Sequence, residues 1–179
     1  LRNVEATLQV QGIQAGQVSD LQPRTDADII AWFRKVQRYD QFNVSRQQAQ
    51  ADTKGPLPKV LEDRDKRWVE SRAVTLLQGQ AGVKVLDLPR PANNDPRPFE
   101  VVGIPLREPG YHVIEIESRR LGESLLDRKA PVYVRTGVLV TNLGVHFKLG
   151  RENSLVWVTT LDRGRPVEGA DVAVHDCTG

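Results

Sequence analysis

Beyond residue 67 the chain breaks into short stretches of β character, and the joins between them are too short for parallel pairing. Trp68–Leu77, Val83–Leu88, Phe99–Leu106, Tyr111–Ser118, Val132–Thr141, Leu143–Leu149, Leu155–Leu161 and Ala170–Asp176 are each rich in Val, Ile and aromatic residues and are separated by Gly, Pro or Asn. Two parallel strands need a crossover of about a dozen residues or more. The chain is therefore predicted to be mainly β, an antiparallel β-sandwich architecture.

Side-chain alternation assigns faces. In Leu143–Leu149, the residues Leu143, Val145, Phe147 and Leu149 point one way, toward a core, while Gly144, His146 and Lys148 face water. In Leu155–Leu161 both faces are apolar or β-branched, which predicts a central strand. A turn through Asp162–Pro166 then leads to a further strand at Gly169–Ala170. Leu1–Gln11 alternates as well, with Val4, Ala6, Leu8 and Val10 on one side, and reads as a half-buried strand ended by the turn formers of Gly12–Pro23.

One helix interrupts this pattern early. Thr25 can cap the free amides, Asp28 follows three residues later, and Ile29, Phe33 and Val36 fall on one stripe with Trp32 beside them. Asp26 and Asp28 open it and Arg34, Lys35 and Arg38 close it, as the helix dipole favours, so the helix is placed at about 26–40. From Ser45 to Arg67 Gln, Asp, Lys, Arg and Pro dominate, which predicts a flexible loop at about 45–67. A boundary near Pro131–Gly137 divides the reading into one domain over 1–134 and the first strands of a following, incomplete domain over 135–179.

Composition excludes several classes. Hydrophobic residues make up 39% of 179, enough for a core, and no apolar run approaches the roughly 20 residues of a membrane helix. Lys and Arg total 25 against 23 Asp and Glu, with the signs interspersed, which argues against a nucleic-acid groove. The chain opens at Leu1 and holds no Met, so it reads as a section of a longer polypeptide. Cys177, alone, allows no internal disulfide and no thiolate metal cluster.

No catalytic, cofactor-binding or metal-binding constellation emerges. His112, His146 and His175 are separated by 34 and 29 residues, which matches no compact zinc-ligand spacing, and they read as satisfied surface or edge histidines. Asp26/Asp28 is explained by the helix N-terminus and Glu115/Glu117 by a polar strand face. Gly79, Gly82 and Gly103 stand apart and precede no helix, so no phosphate-binding loop is present. Basic residues within Arg34–Arg38, Lys59–Arg67 and Arg119–Lys129 read as solvated faces. The expectation is a non-enzymatic module without cofactor.

Pro98–Leu106 followed by Glu108–Glu115, then Tyr133–Thr136 running through Val138–Lys148 to Ser154–Thr159, resembles the macroglobulin domains of bacterial alpha-2-macroglobulins. The turn Asp162-x-Gly164-x-Pro166-Val167-x-Gly169-Ala170-x-Val172 is similar to the hairpin that opens many such domains. The resemblance implies macroglobulin-like sandwiches from the middle of a large periplasmic protein, held at the inner membrane through a lipidated N-terminus. It further implies a broad-spectrum protease inhibitor that traps its target after cleavage of a bait segment. Target proteases would meet regions outside this chain, and the residues here would be scaffold against neighbouring domains. Cys177 departs from the Cys-x-Glu-Gln pattern of the thioester that many members carry, since Thr178 and Gly179 follow it. The exposed basic stretch Ser45–Arg67 is bait-like in composition. The alternative reading is a cell-envelope adhesin or protein-docking sandwich without inhibitor activity.

Overall fold

The computed structural model describes residues 17–58, 66–86, 103–119, 122–123 and 130–174. The strand expected over Leu1–Gln11, His175 and Cys177 lie outside the described residues.

The fold is mainly β and its sheets are antiparallel, as the short joins require. Strands β1 (Gln17–Leu21), β4 (Lys84–Leu86), β5 (Gly110–Ser118) and β6 (Val132–Val140) form one sheet in the order β4-β1-β5-β6. β2 (Asn43–Ser45) pairs with β3 (Trp68–Glu70), and β7 (Leu143–Lys148) pairs with β8 (Leu155–Thr160). In the main sheet Asp20 pairs with Ile114, and Glu115 stands opposite Arg135. The centre of β5, His112–Glu115, is buried on both faces.

Helix α1 (Asp26–Arg38) forms where its cap signals place it. Thr25 Oγ1 accepts the Asp28 amide at 3.2 Å and donates to the Asp28 carboxylate at 2.7 Å, so cap and first turn hold each other. Its buried stripe is Trp32, Val36 and the C-cap residue Tyr39; Phe33 points outward. Val36 packs with Leu21, Leu77 and Val113, and Tyr39 packs with Val44, Ala49, Val69, Val74 and Leu76. Trp32 touches both clusters. Each fully buried Leu in them contributes about 1.5–3 kcal/mol.

Several local expectations are corrected. The turn predicted over Gly12–Pro23 contains β1, a central strand, because Val18 and Leu21 are buried and Asp20, though polar, has a buried partner. The loop predicted over Ser45–Arg67 is, in its first part, the end of β2 and helix α2 (Arg46–Asp52). Ser45 accepts the Gln48 amide to cap α2, and the small Ala49 lets the helix sit against β2 and β3 with little apolar material. Residues 59–65 lie outside the described residues. The strand expected over Trp68–Leu77 stops at Glu70. There the Ser71 hydroxyl bonds the carbonyls of Gln41 and Phe42 and a single 3-10 turn follows. Residues 103–106 are not a strand, since the Leu106 amide turns back to the Ile104 carbonyl at 3.0 Å around Pro105. Residues 170–174 form no strand either.

Two further readings concern the end of the sheet. The boundary drawn between 134 and 135 falls inside β6, which pairs with β5 residue by residue from Val132 to Val140. β8 lies between β7 and a bridge at Pro166, with Val158 and Thr160 bonded to Val167 and Arg165. The turn expected at Asp162–Pro166 is present, with Gly164 at φ 63° and its amide bonded to the Thr160 carbonyl at 2.9 Å.

Gly137 tests the packing of Tyr111 on the sheet. A Cβ at this position would come within 2.8 Å of Tyr111 Cζ and 3.0 Å of its Cε2, so the ring would have to move. Gly137→Ala is expected to cost about 1–3 kcal/mol in urea unfolding, and Tyr111→Leu in the same chain should restore part of the loss. A neutral Gly137→Ala would show that the ring yields freely.

Candidate functional site

Polar groups at the heart of the main sheet are organised around two buried charges that the strand register brings together. Glu115 on β5 and Arg135 on β6 are cross-strand partners on the face that packs against α1 and the 74–77 loop. Arg135 Nε lies 3.4 Å from Glu115 Oε2, and both side chains are at most 5% exposed. Such a pair survives burial only when its remaining donors and acceptors are occupied. Here they serve the 71–77 segment and the Tyr133 carbonyl. Glu115 accepts the Leu76 amide at 2.8 Å, the Leu77 amide at 3.2 Å and the Thr75 hydroxyl at 2.5 Å. Arg135 donates to the carbonyls of Ser71 (3.2 Å), Val74 (2.7 Å) and Tyr133 (3.3 Å), and its guanidinium lies 5.3 Å from the Tyr39 ring centroid. Burial draws Arg135 below its ordinary value, opposed by the Glu115 charge.

A second polar centre lies on the opposite face of β5. His112 Nδ1 is 2.9 and 3.1 Å from the two carboxylate oxygens of Asp20, and His112 Nε2 is 2.9 Å from the Glu108 carbonyl. A third surrounds Asp52, which accepts Arg38 at 2.8 Å and Gln48 Nε2 at 3.1 Å. Burial, followed by the nearby Asp52 charge, pushes the Tyr39 hydroxyl well above the usual phenol range. Lys35, which bonds the Asp52 carbonyl and stands 4.3 Å from the Trp32 ring centroid, is drawn down chiefly by burial.

The residues weighed from sequence divide accordingly. His112 is a satisfied core histidine, His146 is exposed on β7, and the two are not brought together. Among the described residues no group of three or more His, Cys, Asp or Glu is placed to hold a metal ion. Asp26 and Asp28 sit at the α1 N-terminus as expected. Glu115 is corrected: it is not part of a polar strand face but a buried hub, while Glu117 is partly exposed beside Arg119. Asp20, Ser71, Thr75 and Arg135 are the residues that sequence reasoning missed. The available signal was a charge set between apolar or β-branched neighbours in each of two strands, Ile114-Glu115-Ile116 and Val134-Arg135-Thr136.

Surface chemistry concentrates on the β7–β8 hairpin. Register puts Leu143, Val145 and Phe147 on the same face as Val156, Val158 and Thr160. The other face carries His146 and Lys148 with Leu155 and Trp157. Leu143, Val145, Phe147 and Leu149 were expected to face a core. They are instead exposed, as are Leu155, Trp157 and Leu161, because no described residue covers either side of the ribbon. A two-stranded ribbon buries too little apolar surface to be stable by itself.

Residues 140–179, which begin at the last residue of β6 and contain the hairpin, match the family model of the bacterial alpha-2-macroglobulin MG3 domain. The match makes this part of the chain similar to a domain of the bacterial alpha-2-macroglobulins. Comparisons with curated proteins and with solved structures each found no match. The MG3 match agrees with the mainly β, antiparallel architecture and covers the β7–β8 hairpin. Among the described residues no helix is long and apolar enough to cross a membrane.

Two predictions follow from the buried charges. Glu115→Leu leaves Arg135 and three loop donors unpaired and is expected to cost about 3–5 kcal/mol in urea unfolding, with Glu115→Gln costing less because it keeps an acceptor. Equal losses for the two variants would show that the carboxylate's hydrogen bonds are not what matters. At the alkaline end, burial raises Tyr39, Tyr111 and Tyr133 above the ordinary value of 10.0. The folded state therefore holds more protons than the unfolded state once pH passes about 10, and stability falls as pH rises further. Tyrosinate absorbance should appear together with unfolding; a gradual rise in the still-folded protein would contradict this.

Proposed function

We propose that this chain is a scaffold portion of a bacterial alpha-2-macroglobulin-like protease inhibitor, a protein that traps attacking proteases after its bait is cut. The MG3 match over 140–179 is the observation that carries the reading. The described structure supports it: a sheet stiffened by an ion pair that fixes its covering loop, continued into an apolar ribbon that needs neighbours. In this role the chain supplies no reacting group. Its work is to hold geometry while other parts of the protein are cleaved and move.

Residues 132–137, near which the sequence reading drew its boundary, belong to β6, so the proposal sets the joint for such movement beyond that strand. Thr141–Asn142, the two residues between β6 and β7, take that place in the proposal. The Thr141 hydroxyl accepts the Leu143 amide, and Asn142 accepts the amides of Leu161 and Asp162, so the pivot is tied to the hairpin rather than to the sheet. Target proteases and neighbouring domains of the same protein are the partners this reading requires. Its site is the periplasm, at the inner membrane through a lipid on the full protein's N-terminus.

The exposed apolar hairpin also favours a second reading, a cell-envelope docking module without inhibitor activity. One experiment separates them. The intact protein that contains this chain, incubated with a broad-specificity protease, is expected to give a compact, size-shifted complex retaining the protease on size-exclusion chromatography and native gels. Degradation to fragments without such a complex would reject the inhibitor reading and leave docking.

A further inference from the structure

The chain leaves the main sheet after Leu21, builds α1, β2, α2 and β3, and returns at Lys84 on the neighbouring strand β4. Asp20 and Lys84 are register partners, so departure and return lie side by side. One carboxylate bridges these two roots. Glu108 Oε2 accepts Arg24 at 2.7 Å and Glu108 Oε1 accepts Lys84 at 3.1 Å. At the first root Gln22 Nε2 also donates to the Pro109 carbonyl at 2.8 Å.

Glu108 and Pro109 end a segment without regular structure, residues 103–109, which enters β5 at Gly110. Gly110 has a φ of 131°, and a Cβ there would come within 2.6 Å of Gln22 Nε2, so the fastening depends on glycine at the base of the segment. Register fixes what the segment lies over. Lys84 partners Asp20 and Asp20 partners Ile114, which puts Lys84 and Asp20 on the sheet face that His112 shares, opposite α1. On that face His112 Nε2 lies 2.9 Å from the Glu108 carbonyl, and the His112 side chain is 3% exposed.

We propose that residues 103–109 form a strap closed over the buried His112–Asp20 pair, and that the Glu108 carboxylate, shared between Arg24 and Lys84, is its clasp and is opened by salt. Both ion pairs of the clasp stand in water, where a single pair holds little and a carboxylate shared by two cations holds more. Such pairs are screened: the Debye length falls from about 30 Å at 0.01 M salt to about 3 Å at 1 M. The Gln22 bond to Pro109 is neutral and persists, so the strap lifts while its root stays attached. Opening also parts the two roots from their common anchor, which couples the stretch from α1 to β3 to the ionic surroundings of the sheet.

Acylation of histidine by diethylpyrocarbonate at one fixed pH, read by mass spectrometry of the 179-residue chain, reports which rings meet solvent, and exposed His146 on β7 is the internal reference. At about 0.01 M NaCl, His112 is expected to react far more slowly than His146. Toward about 1 M its rate relative to His146 should rise roughly three- to tenfold, with circular dichroism unchanged. Glu108→Gln removes the charge and leaves the backbone carbonyl in place; it should react at low salt as the wild type does at high salt, and lose the salt response. Arg24→Gln combined with Lys84→Gln should behave likewise with Glu108 intact. The proposal is overturned by a His112 that reacts as fast as His146 at low salt, by a ratio flat with salt, by a rise that accompanies loss of secondary structure, or by a salt response that Glu108→Gln retains.

Discussion

The carboxylate of Glu115 is the constraint on which the rest of the described structure depends. It lies in the middle of the strand that is buried on both faces, and it gathers the amides of Leu76 and Leu77 and the hydroxyl of Thr75 while facing Arg135. The loop it holds places Val74, Leu76 and Leu77, which supply both apolar clusters. An ion pair of this kind differs from an isolated buried pair, for which a well-packed apolar substitute is often no worse. Replacing both charges here would orphan backbone donors on one side and the carbonyls of Ser71 and Val74 on the other.

How much of this could be read from the sequence depended on whether the information was local. Helix α1 was legible because Thr25, Asp28 and the charged ends act within a few residues of one another. β5, β6, β7 and β8 were legible because their Val- and Ile-rich runs alternate cleanly. β1 was hidden, since Gln17, Ser19 and Asp20 look like turn material until His112, far along the chain, is known to meet Asp20. Helix α2 was hidden for a similar reason: Arg46–Asp52 has Ala49 as its apolar contact and gains its place from Ser45 and Arg38.

The polar centres were the least legible part. Nothing in a single strand shows that Glu115 will stand opposite Arg135, because that fact belongs to register, and register is set by the pairing of all nine residues of β5 with β6. The hairpin shows the converse. Its alternation announced an inward-facing side, and the register confirms a shared apolar face, yet the described residues leave that face open. Pattern specifies which side seeks cover. It does not name the cover.

Trp32 has a consequence for how this part of the molecule comes apart. Its indole rests against the group around Tyr39 and the group around Val113 at once, so neither small apolar nucleus can loosen without exposing the ring that the other also needs. Two assemblies that would each be marginal are thereby made into one melting unit. Damage introduced beneath α2 is felt at the sheet, and a defect at the sheet is felt beneath α2.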